Sequence, residues 1–321
     1  MIIINDGIPI EAYQLIKNNE YEPGNPIAFC SATSLLKPPK EFWLMRRFGE
    51  QIEVGASHFL ESIYGTVWHL GFEQLYNNNK RYIQEERMYF SIDIDGKQII
   101  ITGKPDLYNK ETETLTDFKE TSVWTIIYES KIDDWEKQLN IYAYAMNYGY
   151  WTDDLLNYNH NKFVEISTIT YNVSNLQVLY KCRDWRKSES LRDTFKYPQK
   201  VAIRILRLYE KEECEAMIQT LVKNLLQYKD TDPNEIPECN KEQRWQKPTT
   251  YAVMKKGRKS AVRVVNTIEQ AKGIIYNVKK DKDKHYIEIR KSQPVKCIDY
   301  CFCNKLCNWY QNYLKEQQNA L

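Results

Sequence analysis

No apolar run in the 321 residues reaches the roughly 18 needed to cross a bilayer, which excludes a helical membrane span. The N-terminus, MIIINDGIPIEAYQ, has no basic n-region and carries Asp6 and Glu11 early, so it does not read as a signal peptide. A Gly-rich phosphate loop of the GxxxxGKS/T kind is missing, which argues against ATP use. Internal repeats and a clear linker are also absent. An excess of one charge is lacking too: 45 Lys and Arg face 43 Asp and Glu, for a net +2. Nucleic-acid binding therefore has to be argued from where charge sits and not from the total. These absences predict a soluble cytoplasmic protein with no membrane contact.

What is present is an ordinary globular composition, 42% hydrophobic and 27% charged, with 13% aromatic residues that argue against disorder. The length suits one large domain with an elaboration, or two modest ones. SATSLLKPPKEFWLMRRF reads as a capped short segment broken at Pro38 and Pro39 that resumes as a helix. Residues 56–78 carry apolar residues at helical spacing and predict one long helix. The period then changes. MYFSIDI and KQIIITGKPDLY predict two strands joined at Asp95-Gly96, a hairpin signal, and LTDFKET predicts a third after the turn NKETET. Helical period returns at 133–148 and at 210–228, with VEISTITYNV predicted as a strand between them. Beyond 245 come strand, basic turn, strand, a short helix at TIEQAKGIIYNVKK, and a strand at HYIEIRK. The αβββα order predicts an α/β core with a mixed central sheet flanked by helices over residues 1–235. Residues 236–321 predict a small basic α+β elaboration and a cysteine-rich C-terminal segment.

Two strand-borne motifs carry the chemistry. Gly103-Lys104-Pro105-Asp106 ends one strand and Asp117-Phe118-Lys119 lies on the next. The turn between them is short, so the two strands are expected to be neighbours. Residues two apart on a strand share a face, so Asp117 and Lys119 point together and Asp106 approaches from alongside. Hard carboxylate oxygens in this pattern suit Mg²⁺ or Mn²⁺, which acidifies water and screens a phosphate. A lysine beside the ion orients or deprotonates that water and stabilises developing charge. Pro-Asp near a turn and Asp-x-Lys on a strand are each common by themselves. Two helical pairs add to them. His69 and Glu73 are four apart on the helix before the sheet, and Gln138 and Tyr142 are four apart on the helix after Lys119.

In order, Gly65 and His69, then GKPD, DFK and QLNIY, this set resembles the RecB-type branch of the PD-(D/E)xK nucleases over roughly residues 56–145. The resemblance implies a restriction-endonuclease-like core and a metal-dependent deoxyribonuclease acting in DNA recombination, repair or phage DNA processing. It implies metal ligands at His69, Asp106 and Asp117, with Glu73 as an accessory, and a catalytic group of Asp106, Asp117, Lys119, Gln138 and Tyr142. SATSLLKPPKEF and the Tyr197-Pro198 stretch are similar to a phage-encoded subgroup, for which the compartment would be the host cytoplasm. The partners implied are DNA, single-stranded or at duplex ends, with a helicase or a recombination or single-strand-annealing protein. A non-catalytic DNA-binding or structural subunit that keeps the fold is the alternative, although intact Asp106, Asp117 and Lys119 speak for the enzyme.

Eight cysteines include four crowded at Cys297, Cys301, Cys303 and Cys307. In a reducing compartment clustered thiols bind metal more often than they form disulfides. The C-x3-C-x5-C trio of Cys297, Cys301 and Cys307 is similar to that of the iron–sulfur members of the RecB branch, the AddB-type and CRISPR-adaptation exonucleases. There a distant fourth cysteine completes a [4Fe–4S] cluster; four thiolates also match structural zinc. This chain departs from the family spacing, which begins C-x2-C. The fourth ligand is expected at Cys239, with Cys30 and Cys303 as the other candidates. Buried thiols without a metal are the plainer reading.

Two basic runs stand out, Lys255, Lys256, Arg258 and Lys259 at a predicted hairpin tip, and Lys279, Lys280, Lys282 and Lys284. Such runs usually are solvated surface, but beside a nuclease they suit phosphates. Trp124, Trp135 and Trp245 suit either burial or base stacking.

Overall fold

In a computed structural model of the whole chain, residues 1–18, 27–151, 171–193 and 196–318 are described. They form a mixed α/β protein in two compact units. The first comprises Met1–Lys37 and Glu53–Asp230, the second Pro38–Ile52 and Thr231–Leu321. The division expected after residue 235 thus falls near 230, and an N-terminal segment crosses to the second unit. The reason is a set of buried polar ties. The Lys40 ammonium is 3.0 Å from the Ile236 carbonyl, the Arg47 guanidinium is 2.6 Å from the Thr231 carbonyl, and Lys296 meets Glu41 at 2.6 Å.

In the first unit a long helix, α1 (Leu60–Tyr76), follows one 3₁₀ turn. Then come β1 (Tyr82–Gln84), β2 (Met88–Ile94), β3 (Lys97–Gly103), β4 (Leu107–Asn109) and β5 (Thr114–Thr121). Helix α2 (Ile132–Tyr148), β6 (Asn175–Cys182), β7 (Val201–Leu206) and α3 (Lys211–Leu226) complete it. The predicted strand at 164–173 falls largely outside the described residues, as does the turn at 21–26.

The β2–β3 hairpin closes through Asp95 and Gly96, both at positive φ, the backbone a two-residue primed turn requires. The strand expected to run through KQIIITGKPDLY breaks instead at Lys104–Asp106. Strand β3 pairs with β2 in a four-stranded sheet, whereas β4 pairs with β5 in a five-stranded one of order β7-β6-β5-β4-β1. The GKPD strand is therefore not the hydrogen-bonded neighbour of the DFK strand. Pro105 carries no N–H to extend a ladder, and the break frees Asp106 to turn toward β5. Strand β5 runs parallel to β6, with Asp117 opposite Val178 and Lys119 opposite Tyr180.

Helix α2 is the core helix. Asp133 and Asp134 complement its N-terminal dipole, and Gly149 caps its end. It buries Trp135, Leu139, Ile141, Ala143 and Met146, and Phe90 of β2 is buried under the edge of the Tyr144 ring. Each large side chain buried this way contributes about 1.5–3 kcal/mol. Buried Asn140 is fully used: it donates to the carbonyls of Glu136 and Arg207 and accepts from the Tyr209 N–H.

The second unit contains a three-stranded antiparallel sheet with β8 (Thr250–Lys255) between β9 (Arg263–Val265) and β10 (His285–Arg290), and helix α4 (Ile268–Tyr276). Helix α5 (Asn308–Gln318) closes the described chain. Among the described residues no helix is long and apolar enough to cross a membrane.

A candidate metal centre and a thiol pocket

Four elements of the first unit bring acids and bases together. His69 stands on the face of α1 that packs on β5, where Phe72 stacks on Phe118 at 4.1 Å between ring centres. Nε2 of His69 lies 3.1 Å from the Phe118 carbonyl, so that nitrogen carries the hydrogen and donates it. The lone pair of the neutral ring is then on Nδ1, 3.6 Å from Asp106 Oδ1 and 3.5 Å from Glu85 Oε1. Asp106 is oriented by its other oxygen, which accepts the Phe118 N–H at 2.6 Å. His69, Glu85 and Asp106 place one ligand atom each within 4.8 Å of one another.

Asp117 is 1% exposed, and its Oδ1 accepts no hydrogen bond. Its charged neighbour is Lys119, with Nζ 2.6 Å from Oδ2 as an ion pair. Lys119 Nζ is also 3.4 Å from Gln138 Oε1, and Gln138 Nε2 donates to the Tyr142 hydroxyl at 3.0 Å. The i,i+4 pair on α2 thus forms one chain with the lysine. The Tyr142 ring lies so close to β3 that a Cβ at Gly103 would sit 2.8 Å from Cδ1, which gives the glycine of GKPD a packing reason.

Glu85 has no signature in the sequence. It follows β1 at φ 50°, a left-handed conformation uncommon for glutamate. Its N–H bonds to the carbonyl of Pro105, and its carboxylate to Lys104 at 3.0 Å, so the GKPD turn holds it in place. Glu73, the expected accessory, lies one turn beyond His69 and lines the cleft; the carboxylate that joins His69 and Asp106 is Glu85. The cleft has a volume of about 650 Å³ and is also lined by Ser31, Thr33, Arg87 and Lys104. Trp135 is buried, whereas Trp124 is exposed against Tyr128 and Trp245 half-exposed against Tyr300. Tyr197 and Pro198 brace a loop: the Tyr197 hydroxyl accepts from the Arg186 N–H, and the Pro198 carbonyl from Trp185 Nε1.

The electrostatics mark a site short of positive charge. Burial, then the Asp117 carboxylate, pushes the Asp106 carboxyl up to about 7. Burial disfavours protonation of His69, but Glu85, Asp106 and Asp117 outweigh it and raise its pKa. Lys119 likewise is held above the usual range by Asp117 and Asp106 against the effect of burial. A hard donor set of this kind, with two buried carboxylates sharing one lysine, fits a divalent cation. It also fixes a pH dependence. The unfolded chain releases the Asp106 proton near pH 4, whereas the native one holds it to about 7. Across that window the native state binds more protons, so stability without metal falls as pH rises, and His69 acts in the same direction. A cation replaces the protons. The melting-temperature gain from Mn²⁺ or Mg²⁺ is expected to be small at pH 5.5 and to grow to pH 8, with apparent affinity rising up to tenfold per pH unit per proton displaced. Scanning calorimetry with and without metal across that range measures it; a gain that does not change with pH contradicts it.

In the second unit Cys239, Cys297, Cys301, Cys303 and Cys307 line one cavity with Lys40, Glu41 and Arg244. None is in a disulfide. Cys301 and Cys303 sulfurs are 3.5 Å apart. Cys30 belongs to the first unit, where it is buried on a two-residue strand paired with Ile101. Burial pushes the Cys239 thiol up to about 11 and the Cys297 thiol up to about 12, so both are neutral without a cation. Beside the thiols sit the Lys296–Glu41 pair and Arg244, whose guanidinium lies 3.9 Å from the centre of the Trp309 ring.

No family model and no curated protein matches this chain. Among solved structures, one described as "Crystal structure of SSO0001" is similar to it, with 14% identity and a TM-score of 0.46 over 68% of this chain and 85% of that one.

Proposed function

We propose that the chain is a metal-dependent nuclease of the PD-(D/E)xK class that hydrolyses phosphodiester bonds of DNA. One observation carries this reading: Asp117 is almost fully buried beside Asp106 and His69, with Lys119 as the ammonium at its Oδ2. Two buried carboxylates so close are costly unless a cation joins them. His69 Nδ1, Glu85, Asp106 and Asp117 would hold Mg²⁺ or Mn²⁺, which supplies Lewis-acid charge beside a phosphate.

The protein's own groups do the rest. Lys119, held as an ammonium by the two aspartates, donates hydrogen bonds to the incoming water and to the phosphate oxygens as charge builds on them. Its role is therefore orientation and charge stabilisation and not removal of the proton. Gln138 and Tyr142 position the lysine. Water adds at phosphorus and gives up one proton to solvent, the bond to the leaving sugar oxygen breaks, and the released oxygen takes up a proton from solvent. The αβββα order and the mixed sheet support a restriction-endonuclease-like core.

The thiol pocket supports a second, structural group. Zn–S bonds of about 2.3 Å at tetrahedral angles set sulfurs about 3.8 Å apart. Four thiolates around one cavity suit a [4Fe–4S] cluster or structural zinc. Cys239, Cys297, Cys301 and Cys307 would hold it.

The test is incubation of purified protein with end-labelled linear and circular DNA in Mg²⁺, Mn²⁺ or EDTA. Cleavage in either metal and none in EDTA is expected, and attack on linear DNA alone would make the enzyme an exonuclease. Undegraded DNA under every metal condition overturns the reading.

A further inference from the structure

The two basic runs, about 25 residues apart in the chain, form one surface. The antiparallel pairing of β8 with β10 sets Lys255 opposite His285. The 256–260 turn after β8 and the 279–284 segment before β10 therefore meet at one end of the sheet. The Lys256 N–H donates to the Lys284 carbonyl at 2.8 Å across the join. Asp281, in a left-handed turn at φ 55°, ties them further: its two oxygens bind Lys255 at 3.1 Å and Lys284 at 3.0 Å. One carboxylate thus organises two lysines. Lys256, Arg258, Lys259, Lys279 and Lys280 are exposed and form no ion pair among the described residues.

The chain has 43 acidic residues and a net charge of only +2, so five uncompensated cations on one small surface are a local feature. Their mutual repulsion is unfavourable unless a polyanion meets them. An aromatic ring lies in the same place. Tyr276, at the end of α4, is 76% exposed, with the Lys282 ammonium 4.5 Å from its ring centre. A flat exposed ring edged by cations suits a nucleic-acid base with its phosphates on either side.

We infer that this surface of the second unit binds single-stranded nucleic acid, with Tyr276 stacking on a base and Lys256, Arg258, Lys259, Lys279 and Lys280 holding the backbone. The choice of polyanion rests on the proposed nuclease function, but the surface belongs to a different unit from the metal centre. Its contribution is affinity for the strand, which is separable from cleavage.

The experiment is a fluorescence-anisotropy titration of labelled oligothymidylate with the full chain in EDTA, over a range of salt. Reversing the five cations together (K256E, R258E, K259E, K279E, K280E) should weaken binding at least 30-fold near 0.1 M salt. The log–log salt slope should fall by about 3, since each single-strand phosphate contact contributes roughly 0.7. Tyr276→Ala alone should cost about fivefold or more with the slope kept. Reversing three exposed lysines of the first unit (K80E, K97E, K110E) should cost less than threefold. The glutamine set at the five positions should fall between wild type and the reversed set, and a matching melting curve shows that each variant is folded. Unchanged affinity and slope in the reversed set overturn the inference. So does binding of anionic phospholipid vesicles that the variants lose while oligonucleotide binding stays. If the oligonucleotide result holds but DNA is never cut in metal, the nuclease reading fails and this one stands.

Discussion

Asp117→Ala should abolish DNA cleavage and at the same time stabilise the metal-free protein. The two effects share one cause. Asp117 is almost fully buried, shares the Lys119 ammonium with Asp106, and repels the Asp106 carboxylate. Removing it leaves Lys119 facing Asp106 alone in place of two mutually repelling buried carboxylates, so the melting temperature in EDTA at pH 8 should rise by several degrees. Activity in Mg²⁺ or Mn²⁺ should fall by about a thousandfold or more, because the cation loses a ligand where phosphate charge develops. Lys119→Ala should also lose activity, but with the opposite stability change, since it leaves two buried carboxylates facing each other without their cation. A structural ion pair would lose stability whichever partner is removed. Opposite shifts in the two variants, together with loss of cleavage in both, are the signature of a site built for a metal. Asp117→Ala that still cuts DNA at the wild-type rate removes the site from consideration as a nuclease centre.

The parts of this site that sequence carries are those that rest on local period. Asp117 and Lys119 share a strand face by the alternation of β5, and Gln138 and Tyr142 share a helix face by the i,i+4 rule. Glu85 leaves no such trace. Its place depends on a left-handed backbone and on a lysine 19 residues later, and neither has a spacing to read. The fold divides along the same line. The β2–β3 hairpin is marked by Asp95-Gly96, and α1, α2 and α3 by helical period. Strand β6, with Leu176, Val178, Tyr180 and Cys182 inward, lies beyond the strand expected at 164–173 and is not among the expected elements. Its parallel partner β5 lies some 60 residues earlier, and pairing across a long crossover leaves no local mark. The docking of residues 38–52 with 231–321 is equally silent in sequence, because it rests on side chains meeting distant carbonyls.

The thiol pocket should account for most of the stability of the second unit. Protein purified without oxygen should be brown, absorb near 400 nm and contain about four irons per chain. Five cysteines meet there, one more than a [4Fe–4S] cluster takes, and the geometry sorts them. Cys303 is 1% exposed and 3.5 Å from the Cys301 sulfur, so it stands behind Cys301 as a buried thiol. Cys303→Ala should keep the iron, whereas Cys239→Ala, Cys297→Ala, Cys301→Ala and Cys307→Ala should each lose the band. The consequence for stability follows from chain distance. Cys239 and Cys307 are 68 positions apart, with the three-stranded sheet and α4 between them. A metal group at a site that the unfolded chain lacks contributes its binding energy to folding, on the order of 10 kcal/mol for structural zinc sites. Oxidative loss of the cluster should therefore remove one cooperative melting transition. Limited proteolysis should then cut freely between about residues 231 and 321 and spare the first unit. Cys239→Ala tests the fourth ligand directly, because that residue lies far from the C-terminal trio in sequence. Retention of iron in Cys239→Ala with loss in Cys303→Ala would exchange the two assignments. Colourless protein with one bound zinc would replace the cluster by a zinc site.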